Sequence, residues 1–271
     1  MKIHQALSAL VIAAVCSAGA QAKELTVMIS GGFKAAWETL APRFAAQEGY
    51  SIKTISGPSM GSTPQAIPAR LARGEPADVV IMVGDALGDL EQQGRILPGS
   101  RVELADSPVG AVIKKGDAPV NIDSVAALRA ALLNARSVAY SDSASGRYVS
   151  TRLFKTLGID KQMQGKAHQV ARIPVASQVA DGKYALGFQQ VSELLPVPGV
   201  TFVGELPASV QYITRFAGAV VATSAHRHEA SDLLNYLASP AVQQVVRSTG
   251  LHSVAPQTVA AQPVKQRSTV Q

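Results

Sequence analysis

The chain has 271 residues, 47% of them hydrophobic and 16% charged, with a single cysteine and a formal charge of +6. That length bounds it to one or two domains able to bury a core without disulfide support, and one cysteine excludes a disulfide framework. Aromatics make up only 5% of the chain and the basic residues are scattered. This excludes a base-stacking platform and any expectation of a nucleic-acid partner, while the positive balance favours anionic ligands.

The N-terminus carries Lys2, an apolar run over 6–15, and the small residues Ala18-Gly19-Ala20-Gln21-Ala22. This is the layout of a secretory leader, and it predicts cleavage after Ala22 and export to the periplasm. The run is far short of the roughly 20 residues of a spanning helix. Cys16 falls inside the leader, so the chain beyond it offers no thiol nucleophile and no thiolate metal site. Lys2 is lost with the leader, leaving 24 Lys and Arg against 19 Asp and Glu, a formal charge of +5.

Beyond the leader, short apolar runs alternate with longer amphipathic stretches. The pattern predicts strands over 25–29, 51–55 and 78–83, with helices over 35–48, 64–73 and 86–93 between and after them. It then repeats. Strands are expected over 109–114, 137–140, 184–188, 200–203 and 216–223. Helices are expected over 124–134, with Asp123 or Ser124 as N-cap, and over 147–157, 229–237 and 240–249. Gly74-Glu75-Pro76-Ala77-Asp78 reads as a turn feeding the third strand. From Ala255 the sequence is polar, aperiodic and proline-containing, and a disordered tail over 255–271 is expected.

Strand–helix alternation of this kind argues for an α/β fold with mostly parallel sheets. Two lobes are expected, one from residues 23–105 with 217–254 and the other from residues 106–216. Hinges are expected near 102–110 and 214–218. Ligands of open α/β sheets bind beyond the C-terminal ends of the strands, so the loops leaving the strands are where chemistry is sought.

Three of those loops are alike: Ser30-Gly31-Gly32-Phe33-Lys34, the stretch from Ser56 to Thr63 with Ser59, Met60, Gly61 and Ser62, and the stretch from Ser141 to Tyr148 with Ser143 and Ser145. Each is rich in Ser and Gly and opens a helix. Unpaired N–H groups and partial positive charge at a helix N-terminus, with close backbone approach at glycine, make an anion site. Lys34 and Arg147 sit in first turns, where a cation is unfavourable for the helix itself, which hints at a ligand role. A guanidinium can grip a carboxylate through two hydrogen bonds. No phosphate loop and no nucleophile elbow is present. His226 and His228 stand two apart without a third ligand, so no metal site is expected.

These residues carry a family resemblance. Over about residues 25–250 the chain resembles the periplasmic molybdate-binding proteins of bacterial import systems. The landmarks are the Ser30 loop, Leu71-Ala72-Arg73-Gly74-Glu75-Pro76-Ala77-Asp78-Val79-Val80, Leu90-Glu91-Gln92-Gln93-Gly94-Arg95-Ile96 and Tyr236-Leu237-Ala238-Ser239-Pro240. The resemblance implies a type II periplasmic binding protein fold, two lobes joined by two hinge strands with the ligand between them. Departures from the molybdate pattern are Lys34, the longer proline-containing second loop, and Gln189-Gln190 where the family places a tyrosine. With Gly187 to Ser192, those loops resemble a branch that includes aconitate isomerase.

That resemblance implies an enzyme interconverting cis- and trans-aconitate by a 1,3-proton shift, with no metal or organic cofactor required. The ligand, a tricarboxylate, would meet Ser30, Gly31, Gly32, Ser59, Met60, Gly61, Ser62, Ser143, Ser145, Arg147, Gln189 and Gln190. The proton carrier is left open among Lys34, Asp142 and Tyr148. The alternative implied is the substrate-binding component of an ABC importer for a molybdate-like oxyanion or a carboxylate, partnered by a membrane permease. A monomer is expected.

Overall fold

The computed structural model describes residues 23–61, 63–171 and 173–254. The leader with its cleavage site, Ser62 and the tail from residue 255 lie outside the described residues.

The first lobe begins β1 (Glu24–Ile29), α1 (Gly31–Glu48), β2 (Ser51–Ser56), α2 (Ile67–Ala72), β3 (Val79–Val83) and α3 (Gly84–Gln92). The long strand β4 (Val102–Lys114) then leads to α4 (Val125–Asn134), β5 (Val138–Ser141) and α5 (Ala144–Tyr148). A π-turn over Val149–Leu153 continues α5 into α6 (Phe154–Thr156), followed by α7 (Asp160–Met163), β6 (Ala167–Val170), α8 (Val175–Ala180), β7 (Leu186–Gln190), α9 (Val191–Leu194) and β8 (Val200–Glu205). The chain returns through β9 (Ile213–Val220), α10 (Arg227–Ala238), α11 (Gln243–Ser248) and β10 (His252–Ser253).

The strand order is β2-β1-β3-β9-β4-β7-β5-β6, with β10 and β8 also paired to β4. The two halves share one plan. In the first, β2, β1 and β3 are parallel and β9 runs against β3; in the second, β6, β5 and β7 are parallel and β4 runs against β7. Each half thus receives one antiparallel strand from a chain that has crossed over. This is the expected α/β architecture of two lobes.

β4 belongs to both halves. Its residues up to Pro108 pair with β9, and from Val109 onward they pair with β7 and β8. The return crossing runs through residues 206–212, upstream of the 214–218 expected. All of β9 pairs within the first sheet. Gln211 ties the two crossings together. Its side-chain oxygen accepts from Val109 N at 2.9 Å and its amide donates to Val109 O at 3.0 Å.

Period explains the cores. α1 buries Phe33, Trp37, Leu40 and Phe44 on one stripe, against Leu25, Val27, Ile29 and Ile81 of the sheet. Trp37 donates its indole N–H to Thr54 Oγ1 at 3.0 Å, so its polar atom is satisfied inside the core. In the second lobe β4 alternates: Val109, Ala111 and Ile113 face one cluster and Val112 faces another, under α8. A sheet covered on both faces reads as a continuous apolar run. Asp78 is buried at the start of β3, accepting from Thr26 N at 2.8 Å and Ser224 Oγ at 2.6 Å. The turn before it therefore ends in an anchor.

Two boundaries differ from the sequence reading for physical reasons. α1 starts at Gly31, so Gly31, Gly32, Phe33 and Lys34 form its first turn and not a loop. Glycine has poor helix propensity, but here the missing side chains make room for the other lobe. α5 starts at Ala144, upstream of 147, and passes through the π-turn to residue 156. Ser124 caps α4, its Oγ accepting from Ala127 N at 3.1 Å.

Candidate functional site

A cavity of about 780 Å³ lies between the lobes. The first lobe contributes Ser30, Gly31, Gly32 and Lys34 at the start of α1, then Gly57, Ser59, Met60 and Gly61 after β2, and Phe216 of β9. The second contributes Ser141, Asp142 and Ser143 after β5, Pro174 before α8, and Gln189, Gln190, Ser192 and Glu193 from the end of β7 and α9. The cavity therefore sits at the C-terminal ends of the parallel strands, where side chains from several loops converge.

The polar groups are arranged for an anion. The N-terminus of α1 opens onto the cavity, and Ser30 precedes it with its Oγ buried and without a protein partner. Gln190 Oε1 and Thr214 Oγ1 are the other buried side-chain atoms left unpartnered among the described residues. Gln190 lines the cavity too, and Thr214 stands two residues before the wall residue Phe216 on β9. Buried polar groups normally find partners, and two of these three open onto the cavity. After β5, the hydroxyls of Ser141, Ser143 and Ser145 form a triangle, with 2.7 Å between Ser141 and Ser143 and 3.2 Å on the other two sides. Ser59 Oγ accepts from Val83 N at 3.0 Å, leaving its hydrogen free to donate.

Charge is sparing. Among the described residues of the wall, Lys34 is the single basic side chain, half-exposed and 3.6 Å from Glu38. Glu38, Asp142 and Glu193 are acidic. The wall thus relies on N–H and hydroxyl donors more than on cations.

The sequence candidates divide. Ser30, Gly31, Gly32, Lys34, Ser59, Met60, Gly61, Asp142, Ser143, Gln189 and Gln190 are brought together in the wall. Ser145 is fully buried behind Ser141 and Ser143. Arg147 is exposed, outside the wall. Tyr148 is also outside it. Its ring stacks on Tyr212 at 4.8 Å and its hydroxyl donates to Val210 O at 2.7 Å, so it braces the return crossing. His226 lies beside Asp78 at 3.3 Å, in the first lobe and away from the wall. Among the described residues no three His, Cys, Asp or Glu side chains group as metal ligands.

Glu193 is the site residue that sequence reasoning missed. It is carried by the second lobe, yet its carboxylate lies against the first turn of α1: a Cβ placed on Gly31 would stand 2.3 Å from Glu193 Oε1. A Cβ on Gly32 would stand 2.1 Å from Gln190 Oε1 and 2.3 Å from Phe216 Cζ. Ser192 Oγ donates to Gly32 O at 2.6 Å, a hydrogen bond between the lobes. Burial pushes the Glu193 carboxyl up to about 7; the Gln189 side chain opposes the rise and the Asp142 charge adds to it. The two glycines were the available signal, because adjacent glycines mark close approach.

Comparison with known proteins places this chain in a family. The model of the bacterial extracellular solute-binding protein family matches residues 25–252. Aconitate isomerase from a Pseudomonas species is 43% identical over 250 residues, covering 92% of this chain and 95% of that one. The periplasmic molybdate-binding protein of Azotobacter vinelandii superposes with a TM-score of 0.68 at 22% identity, over 86% of this chain and all of that one. The sulfate-binding protein SubI of Mycobacterium tuberculosis gives a TM-score of 0.68 at 17% identity, over 86% of this chain and 88% of that one. An extracellular family goes with export from the cytoplasm, and among the described residues no helix is long and apolar enough to cross a membrane. The chain belongs to the bacterial extracellular solute-binding protein family.

Proposed function

We propose that this protein is an aconitate isomerase, exported to the periplasm with its leader removed after Ala22, that interconverts cis- and trans-aconitate by a 1,3-proton shift. The observation that carries the reading is the 43% identity to aconitate isomerase along almost the whole of both chains. The cavity supports it. Its volume suits a six-carbon tricarboxylate, and the unpartnered Ser30 hydroxyl, the start of α1 and the Ser141–Ser143 hydroxyls offer donors on opposite sides. Donors preorganised around carboxylates also stabilise the carbanion-like state, whose charge spreads into those carboxylates.

In this reading Ser30, Gly31, Gly32, Ser59, Ser143, Gln189 and Gln190 hold the substrate, and Lys34 meets a carboxylate at the mouth. The test is direct. Purified protein incubated with trans-aconitate is expected to yield cis-aconitate, followed by chromatography. Turnover no greater than that of a heat-treated control would overturn the reading. A melting shift with molybdate or sulfate, and none with tricarboxylates, would favour an importer's binding component with a permease partner, since a ligand bound by the native state raises stability.

A further inference from the structure

Glu193 occupies the place where both lobes and the cavity meet. It is fixed from two sides: Ser192 before it is hydrogen-bonded to Gly32 O of the first lobe, and its own carboxylate rests against Gly31. Among the described residues no cation pairs with it. A half-buried carboxyl without a cation is costly to keep charged, and groups kept so in a cleft are commonly the reacting ones.

We propose, resting on the isomerase reading, that Glu193 is the proton carrier of the shift, a single carboxyl that removes a proton from the methylene carbon of aconitate and returns one to the former vinyl carbon. The Glu193 carboxylate takes a methylene proton, and the C–H electron pair becomes the new C=C bond. The former C=C pair is shared over the three-carbon unit and its carboxylates, then takes the proton back at the far carbon. Glu193 is regenerated as a carboxylate, and no electrons leave the substrate. The two carbons are separated by one atom, so a carboxyl over one face reaches both. Connectivity is unchanged by the shift, and only the geometry of the new double bond separates product from substrate. The transient charge falls where α1 begins, beside the unpartnered Ser30 hydroxyl.

Both forms of this carboxyl are accessible near neutrality, because burial raises it to about 7, where a proton carrier works best. The charged groups that share the wall with it are Asp142 after β5 and the Lys34–Glu38 pair on α1.

The experiment compares wild type with Glu193→Gln, measuring trans-aconitate turnover by chromatography and trans-aconitate binding by thermal shift. The expected result is a fall in kcat of about 10²–10⁴-fold with the melting shift retained. Glu193→Asp, which keeps the carboxyl, is expected to work faster than the Gln variant. An active wild type with a Gln variant within about threefold of it would overturn this assignment alone. A wild type without turnover would remove the isomerase reading and the assignment with it. Should the Gln variant not fold, the wild-type pH profile decides: kcat/KM rising through about pH 7 supports the assignment, and a flat profile across that range overturns it.

Discussion

Asp142 faces the same cavity as Glu193, and its charge helps hold the proton on Glu193. Like charges disfavour ionisation of their neighbour. Glu193 must be deprotonated to accept a methylene proton, so activity should climb as pH rises through its pKa. Asp142→Asn removes the repulsion, lowers that pKa and should move the ascending limb of kcat/KM to lower pH. If Asp142 were itself the carrier, the variant would lose activity at every pH. Sequence offered Asp142 as a candidate beside Lys34 and Tyr148, and it passed over Glu193. Val191-Ser192-Glu193-Leu194 reads as an ordinary amphipathic turn, and what makes Glu193 special is the α1 terminus delivered to it from the other lobe. The same blindness works in reverse for Arg147: an arginine beside a Ser/Gly loop has the right chemistry, but the turn of α5 leaves it exposed.

At the scale of the element, α1 joins a core-facing stripe to the cavity between the lobes. Its apolar spacing was legible from Trp37, Leu40 and Phe44, whereas its true start was hidden by two glycines. Gly31→Ala tests what that start is for. At this first position of the helix the gain over glycine is less than the ~1 kcal/mol of a helix interior, and the flexible end of Glu193 can move aside, so the melting temperature should change little. The new Cβ would displace the Glu193 carboxylate, and kcat should fall by as much as about 10²-fold, the effect of moving a reacting group by an ångström. Unchanged kcat would separate Gly31 from the chemistry. Other elements escaped notice because their sequence signal is local and weak. β6 is a four-residue edge strand with His168 and Gln169 exposed, and the first half of β4 carries Glu103, Asp106 and Pro108. Those acids are explained by two arginines: Arg215 across on β9 pairs with both Asp106 and Glu103, and Arg101 donates to Glu103 at 2.7 Å.

Across the whole molecule, direct hydrogen bonds join the two lobes at the cavity. Ser192 to Gly32 O is one of them, and the crossings beneath are stiffened by Gln211 and by Tyr148 stacked on Tyr212. Ser192→Ala removes one interlobe hydrogen bond, worth about 1 kcal/mol. Apparent affinity for trans-aconitate should therefore weaken by roughly fivefold, as titration calorimetry would measure, with the fold intact by circular dichroism. An unchanged affinity would mean that this bond does not bias closure. The two-lobed plan was legible because strand–helix alternation runs through the chain twice, once in each lobe. The exact crossings were not, since pairing partners of a strand are a property of the sheet and not of its residues.

β9 lies between β3 and β4 in the first sheet, and this has a bearing on how the protein is made. A polypeptide threaded N-terminus first presents β1, β2 and β3 early, but the strand that completes their sheet arrives only after the loop from Val83 to Ile213 has followed. Until then the edge of β3 is bare, and closure over so long a loop is slow. The first sheet therefore waits for β9, whereas the strands of the second, from Val109 to Glu205, all precede it in the chain and have their partners earlier.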